Sequence, residues 1–268
     1  MKIAMIHAVF PGADAESRLL ESMRQAAQLG ASLALLPELP LDPWPAYDRT
    51  ARSEDAEAPG GPRQLRLQRV AREAGIAVLG GAITLEDGRR FNRALLVDGK
   101  GELRATYDKL HLPSEEGFWE SDHYEAGERL PARIDALEVP LGIQLCSDLN
   151  RPEGAALLAA QGAQLILGPR ATPPSSYRRW LPVLRSIALT GACYVLSVNR
   201  PGSENGVPLG APSVAIDPNG EILVETTEPL TVVTVDPSIA AAARREYPGY
   251  LAIRAELYAR GWQAILSP

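Results

Sequence analysis

Cysteine is nearly absent. The 268 residues hold two, Cys146 and Cys193, and two thiols in a chain this long cannot form a disulfide framework, so both read as reduced. Lysine is almost as rare: of 27 Lys+Arg residues only Lys2, Lys100 and Lys109 are lysine. Where a generic positive charge suffices, this sequence writes arginine, and a lysine in a chemically loaded stretch is correspondingly informative. There are three histidines, His7, His111 and His123, and no paired Cys/His spacing resembles a zinc site, so no metal is expected. The glycines of "VLGGAIT" and "VDGKGE" match neither a P-loop nor a dinucleotide fingerprint, which leaves nucleotide cofactors unsupported. With a net charge of -6 and no basic block, nucleic acid is not an expected partner. No apolar run approaches the ~18 residues that span a bilayer. "MKIAMIHAVFPGADAE" meets Pro11 and acidic residues before a signal-type apolar segment can form. These readings predict a cytoplasmic protein with no membrane partner.

What is present is apolar and regularly punctuated. A hydrophobic content of 46% can support one large domain over 1–268. "KIAMIHAV" reads as a strand, "AESRLLESMRQAAQLG" as an amphipathic helix closed by glycine, and "ASLALLPE" as a buried strand. "GPRQLRLQRVAREAG" is a second helix and "IAVLGGAITL" a strand. "FNRALLVDGKGELRATYDK" then places two β runs around an Asp-Gly turn. After the middle, "ARIDALEVPLGIQLC" reads as a pair of strands and "EGAALLAAQG" as a helix. "AQLILGP" is a strand, "RRWLPVLRSIALTG" a helix, "ACYVLSVNRPG" a strand, "APSVAIDPNGEILVET" a hairpin and "LTVVTVD" a last strand. The phrase "QLGASLALLPE" returns as "QGAQLILGPR", which predicts two similar halves. Mixed sheets covered by helices follow, arranged as a four-layer α-β-β-α sandwich. The tail, 237–268, is a short helix, a Pro-Gly break and an aromatic-rich segment, expected to pack against a partner subunit of a homodimer or higher homo-oligomer, the alternative being packing against its own domain.

In open α/β sheets ligands collect beyond the carboxyl ends of strands, and three reactive residues follow such ends. Glu38 follows "LALLP", where desolvation would shift a carboxyl toward general-base duty, or where it could simply cap a proline-fixed loop. Lys109 in "TYDKLHLP" can stabilise an oxyanion, the alternative being a solvated lysine on an edge strand. Cys146 closes "LGIQL" and is followed by Ser147-Asp148. A strand-to-turn position exposes a thiol while the next backbone N–H groups face a developing oxyanion. Cys193 lies inside the apolar run "TGACYVLSVN" and reads as core. A Cys-His pairing through His111 or His123 is the rival arrangement.

"LALLPELPL", "YDKLHLPSEEGFWE" and "GIQLCSDLNRPE", in that order and spacing, resemble the nitrilase superfamily of carbon-nitrogen hydrolases. The likeness continues through "FNRALLVDGKGELRATYDKLHLP", "GAQLILGP", "VLSVNRPG", "SVAIDPNGEIL" and "REYPGYLAIRAELY". It implies a Glu38, Lys109, Cys146 site with a second active-site glutamate at Glu120, Glu115 and Glu116 being alternatives for that role. It further implies a thioester mechanism without cofactor. Glu38 acts as base, Cys146 as nucleophile, and Lys109 with the Ser147 N–H as oxyanion stabilisers. Trp119, Asn150 and Arg170 are expected to contact substrate. Two departures bear on the substrate. Ser147 stands where relatives commonly have an aromatic residue, and Leu149 and Asn150 stand where N-carbamoyl-D-amino-acid hydrolases carry arginines, leaving Arg151 or Arg170 to substitute. The expected substrate is a small linear amide or N-carbamoyl amine. A nitrile is the alternative within the superfamily, and a non-catalytic scaffold member the alternative outside catalysis.

Overall fold

A computed structural model of the chain describes residues 1–266. The first half runs β1 (Lys2–Ile6), α1 (Ala15–Gln28), β2 (Leu33–Leu35), a two-residue β3 (Ala56–Glu57), α2 (Pro62–Ala74), β4 (Ala77–Glu86), β5 (Arg89–Val97) and β6 (Leu103–Asp108). The second half runs β7 (Leu141–Ile143), α3 (Pro152–Ala160), β8 (Leu165–Arg170), α4 (Tyr177–Gly191), β9 (Tyr194–Asn199), β10 (Ser213–Ile216) and β11 (Ile222–Thr226). β12 (Leu230–Thr234), α5 (Pro237–Ala243) and α6 (Ala255–Leu266) close the chain.

Each half therefore repeats strand, helix, strand, helix, strand and then two antiparallel strands. The sheet orders agree: β1-β2-β4-β5-β6 in one and β7-β8-β9-β10-β11 in the other, with β12 added beside β1 and β3 beside β4. The echo in the sequence is a structural duplication.

Side-chain alternation makes the layers. On β1, Ile3 and Met5 enter the core between the sheets, while Ala4 and Ile6 face the helices. Both faces are apolar because both are covered. Leu35, Leu79 and Leu96 meet Leu141, Leu167 and Leu196 across the inter-sheet core. Helix α1 turns Ala15, Leu19, Met23 and Ala26 inward, the three-to-four spacing of a helix packed on one side. Helix α2 has Pro62 at its first turn and ends at Gly75, whose φ of 71° suits the left-handed cap that glycine accepts without strain. Helices α3 and α4 cover the second sheet through Leu158, Leu184 and Ile187. The result is the expected α-β-β-α sandwich. No described helix is long and apolar enough to cross a membrane.

Two sequence expectations are corrected. "ARIDALEVPLGIQLC" holds one strand, not two: Ile134 makes a single bridge to Leu141, and β7 begins after Pro140, which has no N–H to extend a ladder. The hairpin before β6 also begins earlier than expected. β5 starts at Arg89 because Asp87 and Gly88, with φ of 51° and 77°, form the two-residue turn that joins it to β4. In the tail, α5 is as expected, and the aromatic segment beyond the Pro-Gly break holds a further helix, α6. Positions 267 and 268 lie outside the described residues.

Candidate active site

β2 and β6 run in the same direction, because β6 is antiparallel to β5 and β5 to β4, which is parallel to β2. Their carboxyl ends share an edge, and the loops leaving them bring Glu38 and Lys109 together. Lys109 Nζ donates to Glu38 Oε1 at 2.7 Å and to both carboxylate oxygens of Glu120 at 2.7 Å. All three side chains are buried, at 1% exposure or less. Asn92 on β5 adds a fourth member: its Nδ2 donates to Glu38 Oε1 at 2.8 Å, and its carbonyl accepts from the Lys109 backbone N–H at 3.0 Å. Glu38 Oε1 thus takes two donors. Glu38 Oε2 is buried and has no hydrogen-bond partner among the described residues.

Cys146 reaches this edge from the second sheet. It follows β7 at a φ of 44°, a left-handed conformation unusual for a residue with a side chain and typical of tight functional turns. Its Sγ lies 3.8 Å from the Ala171 carbonyl, to which it donates. Burial first, and the Glu38 carboxylate second, push the thiol well above its ordinary range, with Lys109 pulling the other way. The resting sulfur is a neutral thiol. Burial alone would depress Lys109, yet Glu120 and Glu38 hold it well above the usual lysine range, so it is an ammonium. Burial pushes Glu120 up to about 8 against the pull of Lys109, with Glu38 adding to the rise. The cluster is a buried ammonium shared by two carboxyls beside a thiol that needs a base to ionise.

The other sequence candidates divide. Glu115 and Glu116 are exposed, so the glutamate brought to Lys109 is Glu120. The Ser147 hydroxyl donates to the His111 carbonyl in a short hydrogen bond. Trp119 is half-buried and carries the Arg49 guanidinium 3.7 Å above its ring. Asn150 is exposed and lines a groove between α3 and α4 with Pro152, Ala155, Pro182 and Ile187. Leu149 is core, and Arg151 is exposed. Arg170 is fully buried, and its nitrogens donate to Ser197 Oγ at 3.0 Å, Thr172 Oγ1 at 2.8 Å and the Pro212 carbonyl at 2.6 Å.

The rival Cys-His pairing is not formed. His111 Nδ1 pairs with Asp148 at 2.7 Å, and His123 Nε2 with the Asp48 carbonyl at 2.7 Å. Cys193 is buried in the layer under α4, and burial pushes its thiol up to about 12.

Three residues at the site were not singled out from the sequence. Asn92 was visible only as one amide in the apolar run "FNRALLV". Tyr124 is buried with its hydroxyl unpaired among the described residues, and burial with the Glu120 and Glu38 charges pushes the phenol well up. Asp148 is the third. Two residues after Cys146, its carboxylate accepts from the Tyr107 hydroxyl at 2.8 Å, the Leu110 N–H at 3.2 Å and the His111 N–H at 2.9 Å. It binds the turn after the cysteine to the segment that carries Lys109.

Comparison with known proteins agrees with this architecture. The carbon-nitrogen hydrolase family model matches residues 16–245, and the chain belongs to that family, within the nitrilase superfamily. It is accordingly a hydrolase of carbon-nitrogen bonds other than peptide bonds, of the amidase type. Human omega-amidase is 30% identical over 260 residues, which covers 92% of this chain and 91% of the relative. An amidase from Nesterenkonia superposes with a TM-score of 0.78 at 27% identity, covering 98% of this chain and 99% of that one. That structure is of a mutant with acrylamide added at its active-site cysteine. A carbon-nitrogen hydrolase from Helicobacter pylori, at 18% identity, shares the fold with a TM-score of 0.88 over 97% of both chains.

Proposed function

We propose that the chain hydrolyses a small, uncharged linear amide through a thioester on Cys146, releasing ammonia. The observation that carries this reading is the buried Glu38, Lys109, Glu120 cluster, in which Glu38 keeps one unpaired oxygen beside the charge-sensitive Cys146 thiol. Glu38 takes the thiol proton as Sγ attacks the carbonyl carbon. The oxyanion is met by Lys109, whose contact with both Glu120 oxygens lets one N–H turn away without leaving that carboxyl unpartnered, and by the Ser147 backbone N–H. Glu38 returns the proton to the departing nitrogen, and ammonia leaves. The same carboxylate then activates a water that opens the thioester, giving the acid and the free thiol.

An uncharged substrate is favoured over an N-carbamoyl amino acid. Leu149 is core and Arg170 spends its guanidinium on internal partners, so neither supplies the buried arginine that a substrate carboxylate would need. At 4% exposure of Cys146, short acyl groups suit the site best. The tail supports a homodimer: Leu257, Tyr258, Trp262 and Ile265 on α6 are each at least half exposed, more apolar surface than a lone helix usually leaves to water. The cysteine usage supports a cytoplasmic location.

The test is trapping. Short aliphatic amides, carbamoyl amines and nitriles are incubated with the protein, ammonia is measured, and intact mass is read for an acyl adduct. Amides should give ammonia and an adduct that vanishes in Cys146→Ala but persists in Cys193→Ala. Turnover of nitriles alone would replace the amidase reading, and activity in Cys146→Ala would end it.

A further inference from the structure

Arg200 stands just past β9, on the second sheet, yet its side chain crosses to the loop that carries Glu38 on the first. It is fully buried. Nη1 donates to the Glu38 carbonyl at 2.8 Å and the Leu39 carbonyl at 2.6 Å, and Nη2 donates to the Asp42 carbonyl at 2.8 Å. Nε and Nη2 also reach the two carboxylate oxygens of Glu204, at 2.8 and 2.6 Å. A guanidinium has five N–H donors, and these five contacts use them all. Glu204 is itself anchored to the same loop, accepting from the Trp44 N–H at 2.9 Å.

The loop needs such a hold. Leu39, immediately after Glu38, has a φ of 46°, a conformation that costs a side-chain-bearing residue energy and persists only where surroundings enforce it. With Leu39 turned this way, the Glu38 and Leu39 carbonyls both meet one guanidinium. The Glu38 side chain is left aimed at Lys109 and Asn92.

We infer that Arg200 is the positioning residue for Glu38: acting through the Glu38 and Leu39 carbonyls, it fixes the carboxylate on the first sheet relative to the thiol on the second. This rests on the reading of Glu38 as the base. Arg200 touches no reacting atom. A lysine at this position would keep the charge but offer three donors from one point, and so could not bridge the loop carbonyls and Glu204 together.

The test uses the full chain and a probe that needs no natural substrate: alkylation of Cys146 by iodoacetamide, located by peptide mass, followed against pH. Because the thiol is neutral at rest, its alkylation depends on the base. In Arg200→Lys the alkylation rate at pH 7 should fall about tenfold. Hydrolysis of a short amide should fall about 10- to 100-fold in kcat with KM within about twofold, the scale expected for a catalytic group displaced by about an ångström. The number of alkylatable Cys146 sites per chain should stay near one. In Arg200→Ala, added guanidinium ion should restore part of the rate, and sodium ion should not.

A wild-type alkylation rate in folded Arg200→Lys overturns the inference. So does a loss of rate fully matched by a loss of alkylatable sites, since that is misfolding without mispositioning. If Arg200→Lys does not fold, Glu204→Gln decides: it keeps the guanidinium and removes its charged anchor, and should slow alkylation about 3- to 10-fold, an unchanged rate overturning the proposal. Glu38→Gln separates the two readings. Wild-type alkylation there means that Glu38 is not the base, whatever Arg200 does.

Discussion

Replacing Glu120 by glutamine should flatten the pH dependence of stability between pH 5 and 8. Glu120 has no exposed surface, and its carboxyl is pushed from 4.5 up to about 8. In the unfolded chain the same group ionises at its ordinary pKa. Between those two values the unfolded state has released a proton that the folded state retains. Each pH unit then costs the folded state about 1.4 kcal/mol, and the whole interval amounts to roughly 3–5 kcal/mol, complete once pH exceeds 8. Lys109 adds no slope here: its raised pKa makes a contribution that is fully present below the unfolded lysine value. The Cys146 thiol, also raised, matters only above about pH 8.5, where the unfolded thiol ionises. His7 slopes the other way. Burial and then Arg170 lower it to about 4 from 6.5, so the unfolded chain takes up a proton below 6.5 and stability falls as pH drops toward 4. His7 is unchanged in the variant and cancels in the difference. Urea unfolding at pH 5, 6, 7 and 8 would measure that difference, and Glu120→Gln should gain several kcal/mol on the wild type from pH 5 to 8. Two curves parallel within about 0.5 kcal/mol, near the error of the extrapolation, would refute the argument that burial holds this carboxyl protonated.

Lys109→Arg should lose more than about 100-fold in kcat despite keeping the charge. A planar fork cannot replace a compact ammonium lying 2.7 Å from three carboxylate oxygens in a fully buried slot, and the overpacking should cost about 1–3 kcal/mol in denaturant unfolding; wild-type turnover would remove the case for an amine here. Asp148→Asn replaces an acceptor of three N–H or O–H donors besides the His111 ring with an amide that is half donor, and should cost about 2–3 kcal/mol. It should also slow Cys146 alkylation, because the turn after the cysteine loses its hold on the lysine segment. His111→Gln, at a side chain 45% exposed, should change stability by less than about 1 kcal/mol; a larger loss there than in Asp148→Asn would place the anchor on the histidine.

The sequence exposed what local chemistry marks. Glu38, Lys109 and Cys146 each follow a short β run, and such ends are visible through proline, charge and the break in apolar alternation. The rarity of lysine made Lys109 stand out. Residues whose meaning lies in a distant pairing stayed hidden: Asn92 meets Glu38 across 54 residues of chain, Asp148 meets Leu110 across 38, and Arg200 meets the Glu38 carbonyl across 162. Arg200 looked like any of the many arginines, and its burial is a property of the sheet pair. The fold shows the same boundary. Asp-Gly turns and glycine-ended helices were legible because glycine and aspartate act within a few residues. "ARIDALEV" carried strand-like residues, yet only Ile134 found a ladder partner, and pairing is not a local property.

On the proposed mechanism, the site's second glutamate serves the division of the site between two sheets. The first sheet supplies Glu38, Lys109 and Asn92, and the second supplies Cys146. On that mechanism, a buried ammonium with Glu38 as its one carboxyl partner could take either of that group's oxygens, leaving fewer for a thiol proton. Glu120 prevents that by holding the ammonium with both of its own oxygens, at 2.7 Å each, so that Lys109 touches Glu38 through Oε1 alone. The second Glu38 oxygen is buried with no hydrogen-bond partner among the described residues. Burial and the Glu38 carboxylate oppose a second buried anion and so favour the neutral thiol. On the proposed mechanism, ionisation of the sulfur becomes favourable as the negative charge moves on to the substrate oxygen, where a Lys109 N–H released from its double contact with Glu120 would meet it.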